Sequence, residues 1–400
     1  MKNKKHNIIS IIFLIFMFTS CVLTIIFGVK PIGGSILRSI NKIKTEQMSF
    51  SESINLITST ISDKVNDAFF MRNKYINLYG GIQKLIGKEI LEDSVPDRTI
   101  IRDNYGILHF QDSKKDVEDF VENLDTLNTF LLEKEIPLLY VQAPSRELSG
   151  FTELPEGVTL HANNTMDNFI SGIQSKDINF IDLRQSINNW EIDKEDIFFK
   201  TDHHWTIESA FYASNEIVRE VYKNLNLKVN EDNLNLDNYD VEVFNERFLG
   251  SFGIRVGETY SGRDNFSVIS PKFKTDLEYT HKDDGKVTIT KSGEFKESLL
   301  DYNMLFKDIE NVYTSYLYNG NKEAIITNNL AENDKKVLLI ADSFGRPLAP
   351  FLSLNFKETR YLDPQRGRFK ENILDYIREY NPDEVIVMFY GYSPYIMLNL

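Results

Sequence analysis

Lys336-Val-Leu-Leu-Ile-Ala341 constrains the fold more than any other stretch of this chain. Its interior is apolar at every position, so neither face of the strand it forms can meet water. A strand buried on both sides belongs to a sheet with helices above and below. Other short strands fit the same sheet: Pro137 to Gln142, Asn179 to Leu183, Arg360 to Leu362 and Glu384 to Phe389. Between them lie helices at Asn164 to Ile173, Ile207 to Leu225, from about Pro347, and Phe369 to Tyr380. A further helix starts at Ser113-Lys-Lys-Asp116, with Val117, Phe120, Val121, Leu124, Leu127 and Leu131 on one face. The rhythm predicts an α/β core with a parallel sheet. A strand-turn-strand precedes it at Thr99 to Phe110, turning through Asp103-Asn104-Tyr105-Gly106. Residues 229–330 break the rhythm with Asn, Asp, Tyr and alternating segments such as Lys286-Val-Thr-Ile-Thr290, and read as a largely β insertion.

Ile8 to Val29 is a 22-residue apolar run preceded by Lys2, Lys4 and Lys5. It is long enough to cross a bilayer as a helix, and the lysines predict a cytoplasmic N-terminus with the rest of the chain delivered outside the cell. An uncleaved anchor is favoured over a cleaved signal peptide, because the run is long and no small-x-small site follows it. Ser20-Cys21 mimics a lipoprotein box only weakly, with bulky Phe18 nearby and the apolar run continuing beyond. Cys21 is the one cysteine, which removes intrachain disulfides, Cys-based zinc sites and iron–sulfur clusters. The first 30 residues hold four lysines and no acid, so the rest carries −18 against −14 for the whole chain. Such a body repels a phosphate backbone and speaks against nucleic acid as a partner; a polyanion would need a local cationic pocket.

The densest chemistry is Thr201-Asp202-His203-His204-Trp205-Thr206, just ahead of a helix. Residues two apart in extended chain share a side, so Asp202 can orient the His204 imidazole. The partner this pair needs is a nucleophile at a strand end, and Ala341-Asp342-Ser343-Phe344-Gly345 supplies one directly after the apolar strand. N–H groups at the following helix start can receive a developing oxyanion.

Asp202-His203-His204-Trp205 followed by Asp342-Ser343-Phe344 resembles the DHHW family, in the alginate O-acetyltransferase-like branch of SGNH hydrolase-type proteins. Asp67 to Gly87, Asp103 to Phe110, Ala143-Pro144-Ser145-Arg146 and Tyr361-Leu362-Asp363 extend the resemblance over most of residues 65–392. It implies an SGNH hydrolase-like, flavodoxin-like α/β sheet in which the Asp-x-His block precedes the serine block, a circularly permuted order. It also implies Ser343 as nucleophile, His204 as general base and Asp202 as its orienting acid. The expected organisation is a basic tail and anchor over 1–30, a helical stalk over 31–95, a catalytic domain over 96–228 and 331–400, and the insertion over 229–330.

The implied activity is acetyl transfer to an extracytoplasmic polysaccharide, with a membrane-bound O-acyltransferase as the partner that supplies the acyl group and no cofactor. An esterase or deacetylase would use the same triad, and a polysaccharide-binding scaffold would use none of it. The glycine and asparagine blocks of an ordinary SGNH oxyanion hole are not identifiable, and Phe389-Tyr390-Gly391-Tyr392 ends the last strand without the asparagine. Arg146, Tyr390 and His203 are therefore the candidates for substrate or oxyanion contact. A zinc site on Asp202, His203 and His204 is disfavoured, since adjacent histidines in extended chain diverge. Gly250-Ser251-Phe252-Gly253 follows no long apolar strand and reads as a structural turn or a pocket lip with Arg255. Arg360, Arg366 and Arg368 read as a solvated face.

Overall fold

The structure is a computed structural model that describes residues 2–46, 48–92, 99–307, 311–320, 322–364 and 369–390. Gly391, Tyr392, Arg366 and Arg368 lie outside the described residues. The chain divides into two compact units, Met1–Ile82 and Gln83–Leu400.

In the first unit the apolar run sits inside one long helix, Lys2–Glu46. Its segment Ser10–Lys30 has a mean hydropathy of 2.6 and is long and apolar enough to cross a membrane. The helix Phe50–Asp67 folds back along it, with Ser39 Oγ 2.9 Å from Thr60 Oγ1 and the Phe27 and Phe70 rings stacked. Ser49 starts that second helix with a reciprocal cap, its N–H donating to Glu52 and its hydroxyl accepting from the Glu52 N–H.

Among the described residues the second unit holds thirteen strands: β1 (Ile90–Glu92), β2 (Thr99–Arg102), β3 (Leu108–Phe110), β4 (Leu138–Gln142), β5 (Phe180–Asp182), β6 (Tyr239–Phe248), β7 (Asp264–Pro271), β8 (Leu277–Asp283), β9 (Lys286–Gly293), β10 (Glu323–Asn328), β11 (Lys336–Ala341), β12 (Glu358–Leu362) and β13 (Glu384–Phe389). The main sheet has eight of them in the order β5-β4-β13-β11-β12-β10-β8-β9. From β5 to β12 neighbouring strands run parallel. Beyond β12 the pairing turns antiparallel. The sheet is thus mixed: part of the region that breaks the α/β rhythm extends the core sheet, and β6 and β7 pair separately. β9 closes the sheet as an edge strand and is exposed along most of its length, on both faces.

Burial on both faces follows from residue alternation in the central strands. Leu139, Val141, Val337, Leu339, Ala341, Ile386 and Met388 enter one core, against the helices Ile207–Asn224 and Gly345–Ser353. Leu138, Tyr140, Leu338, Ile340, Val385, Val387 and Phe389 enter the other. Its helices include Glu118–Leu132 and Ala162–Gln174, whose apolar stripes match the three- and four-residue spacing. The helix expected from about Pro347 begins at Gly345, because the turn after β11 is only three residues long. Gly345 has to be small: a Cβ there would lie 2.8 Å from both Ala341 Cβ and a ring carbon of Tyr361. The carboxyl ends of β4, β11, β12 and β13 collect on one edge, where open α/β sheets bind ligands.

Leu339→Ala is expected to lower unfolding stability by about 2–5 kcal/mol, because it opens a cavity in a site sealed on all sides. Val287→Ala on the exposed edge strand should shift it by less than about 0.5 kcal/mol. Urea unfolding of the two variants checks the contrast.

Candidate active site

Ser343 follows β11 in the turn Asp342-Ser343-Phe344. The buried Asp342 carboxylate pins that turn, accepting from Phe344 N–H at 3.0 Å and from Tyr390 N–H, at the end of β13, at 2.8 Å. Burial pushes Asp342 up to about 7 against those two bonds and with help from Asp363. Gly345 N–H is taken by the Asp342 carbonyl. With Phe344 N–H also engaged, Ser343 N–H makes no bond among the described residues and is the donor this turn leaves for a ligand oxygen.

The His204 ring reaches Ser343 from a segment 139 residues earlier. Its Nε2 lies 2.7 Å from Ser343 Oγ and its Nδ1 lies 2.5 Å from Asp202 Oδ1. Asp202 Oδ1 also accepts the His204 N–H, and Oδ2 accepts the Ser251 N–H at 2.7 Å. Burial works to raise Asp202, but the two histidines and the Ser251 N–H outweigh it and hold the carboxyl well below the ordinary range. His204 is moved down from its ordinary 6.5, by burial first, against the raising effect of Asp202. The Tyr313 ring stacks on the imidazole at 3.9 Å and fixes its plane.

The loop that carries Asp202 is itself held rigidly. Asp264, the first residue of β7, accepts from Lys200 N–H, Thr201 N–H and the Thr201 hydroxyl. Thr201 in turn receives Gly250 N–H on its hydroxyl, and Phe252 and Gly253 N–H on its carbonyl. Gly250 touches the loop so closely that a Cβ would stand 2.2 Å from Asp202 Cβ.

Arg146, after β4, is buried; its Nε donates to the Leu108 carbonyl, and its Nη1 to the carbonyls of Phe199 and Asp202. It braces the loop through main-chain oxygens. Tyr390 stacks on Phe344 at 4.6 Å, and its hydroxyl meets the Arg146 main chain. His203 keeps an exposed edge and bonds Ser251 Oγ through Nδ1; contrary to the divergence that extended chain predicts, its ring lies tilted beside that of His204 at 3.8 Å, because the segment turns here rather than running straight. Asp202, His203 and His204 place one donor atom each within 4.8 Å, as a metal site would. The donors of Asp202 and both His204 nitrogens are already committed to the bonds above. Arg255 lies over the Phe110 ring, and Arg360 pairs with Glu358 and covers Tyr380.

Two groups escape sequence reasoning altogether. Asp264 and Tyr313 sit in the irregular region and reach the site only through folding. Gly250-Ser251 left a signal, a paired-glycine turn, whose partner is visible only in three dimensions.

A family described as "SGNH hydrolase-like domain, acetyltransferase AlgX" matches residues 105–252, and the DHHW protein family matches residues 183–362. The chain is similar to both families over these residues. It is an O-acyltransferase of the SGNH type. No curated protein matches the chain by sequence. Among solved structures, Bacillus cereus PatB1 is similar at 21% identity, covering 77% of this chain and 98% of that one, with a TM-score of 0.59. PatB1 with a sulfonyl adduct gives 20% identity, 78% and 98% coverage and 0.61. A DHHW family protein from Eubacterium siraeum gives 17% identity, 77% and 97% coverage and 0.54. These likenesses concern the fold.

A proton can pass to His204 only while the ring is neutral. Because its value is lowered, the acid limb of kcat/KM is expected below pH 6.5, with activity lost as pH falls through it. An acid limb above 6.5 would contradict the assignment. Gly250→Ala should cut activated-ester turnover by about a hundredfold by displacing Asp202. Ser251→Ala keeps the main-chain donor and should cost far less, which assays on the two purified variants will show.

Proposed function

We propose that this chain acetylates a polysaccharide outside the cytoplasm through an acyl-serine intermediate. The observation that carries the reading is the 2.7 Å approach of His204 Nε2 to Ser343 Oγ, with Asp202 on the other ring nitrogen. In the first half-reaction His204 takes the Ser343 proton as Oγ attacks the acyl carbonyl, and Ser343 N–H receives the oxyanion. Collapse expels the donor's leaving oxygen, which takes the proton from His204. A sugar hydroxyl then gives its proton to His204, attacks the acyl-serine and leaves as the acetyl ester, while Ser343 recovers its proton.

Arg146 is a positioning residue in this scheme, because its bonds go to the loop that carries Asp202. In this reading residues 1–30 anchor the chain and 31–95 lead from the membrane to the body, which β1 (Ile90–Glu92) already joins by pairing with β2; 96–228 with 331–400 carry the chemistry, and the 229–330 insertion adds β8, β9 and β10 to their sheet. With an anchored, extracytoplasmic body, the acyl group comes from a membrane-bound O-acyltransferase. The choice between sugar and water rests on how well a bound hydroxyl excludes water, a matter of a few kcal/mol in transition-state binding.

The test incubates the purified protein with an activated acetyl ester, with and without oligosaccharide, and follows both acetate and acetylated sugar. Transfer to sugar is expected, with Ser343→Ala and His204→Ala each losing about a thousandfold or more. Free acetate alone, whatever glycan is supplied, would make the chain an esterase; full activity in Ser343→Ala would remove the acyl-serine.

A further inference from the structure

Arg346 stands in the first turn of the helix that follows Ser343, its N–H donating to the Ser343 carbonyl at 3.2 Å. Its side chain is buried, with only 4% of the residue exposed. Among the described residues its guanidinium makes no ion pair and no hydrogen bond, and its Nε is enclosed without an acceptor. The two acids of the site are otherwise engaged: Asp342 holds Phe344 and Tyr390 N–H, and Asp202 holds His204 and Ser251 N–H. The charge is felt by His204, by the Tyr313 ring stacked on it, and by Tyr361 and Tyr279.

A buried cation without a partner costs several kcal/mol. Arg146 differs within the same site, since its Nε and Nη1 reach three main-chain carbonyls, although its Nη2 is likewise enclosed without an acceptor. A guanidinium presents parallel donors that fit an anion with two adjacent oxygens. A protein of net charge −14 needs such a cation before it can draw an acidic polymer to its cleft.

We propose that Arg346 is an anion subsite, and that the acceptor glycan carries a carboxylate or a phosphate which pairs with it while a neighbouring hydroxyl meets Ser343. This rests on the acyl-serine reading. Calorimetry on Ser343→Ala, which cannot turn over, keeps the two separable. The probes are tetragalacturonate against its methyl ester, and galactose 6-phosphate against galactose; the first pair reads carboxylate and the second phosphate.

At least one charged probe is expected to bind about tenfold or more tightly than its neutral twin. Adding Arg346→Gln should erase that preference, and Arg346→Lys should keep part of it. The melting temperature of Arg346→Gln should not fall below the parent's, since no bond in the free protein is lost. Equal binding of charged and neutral probes in both pairs, or a preference that survives Arg346→Gln, overturns the subsite. A melting temperature that drops in Arg346→Gln, with Arg346→Lys retaining no preference, overturns it in favour of a structural arginine. Acetylation of Ser343 in the wild type, read separately by mass spectrometry, decides the acyl-serine reading by itself.

Discussion

Asp202 carries a charge in a place with no accessible surface, and the rest of the site is arranged around that fact. An isolated buried carboxylate would take up a proton and cease to orient anything. Here the Ser251 N–H and the two imidazoles hold it ionised. An ionised Asp202 fixes a proton on His204 Nδ1 and leaves Nε2 free to accept from Ser343. Loop, turn and helix start are thereby coupled through one carboxylate.

The support comes from both sides of the sequence. Among the described residues, β7 and the Gly250 turn make six hydrogen bonds to Lys200 and Thr201 and a seventh to Asp202, while Arg146 at the end of β4 closes the other flank. A triad set on loops is only as precise as its mountings. This explains why an irregular, Asn-rich region is kept against an α/β core: it adds strands β8, β9 and β10 to the sheet, and β7 contributes the clamp on the Asp202 loop.

The central strands and their helices were legible because double-sided burial writes itself as continuous apolar runs, and Phe369–Tyr380 and Glu384–Phe389 fall where the residue pattern places them. The antiparallel pairing of β10 with β12 was not legible, since strand direction depends on connections rather than composition. Asp202, His204 and Ser343 could be named from spacing and strand-end position. Arg146 could be named but not its orientation toward main-chain carbonyls. Asp264 and Tyr313 carry no local pattern, because their contacts span dozens of residues.

Labelling of Ser343 by a serine-directed phosphonate, followed by intact and peptide mass spectrometry, tests the relay most directly. The wild type should lose one nucleophile, at Ser343, and Asp202→Asn should react about a thousandfold or more slowly while remaining folded. Equal labelling rates in the two proteins, or a label on another residue, would contradict the account.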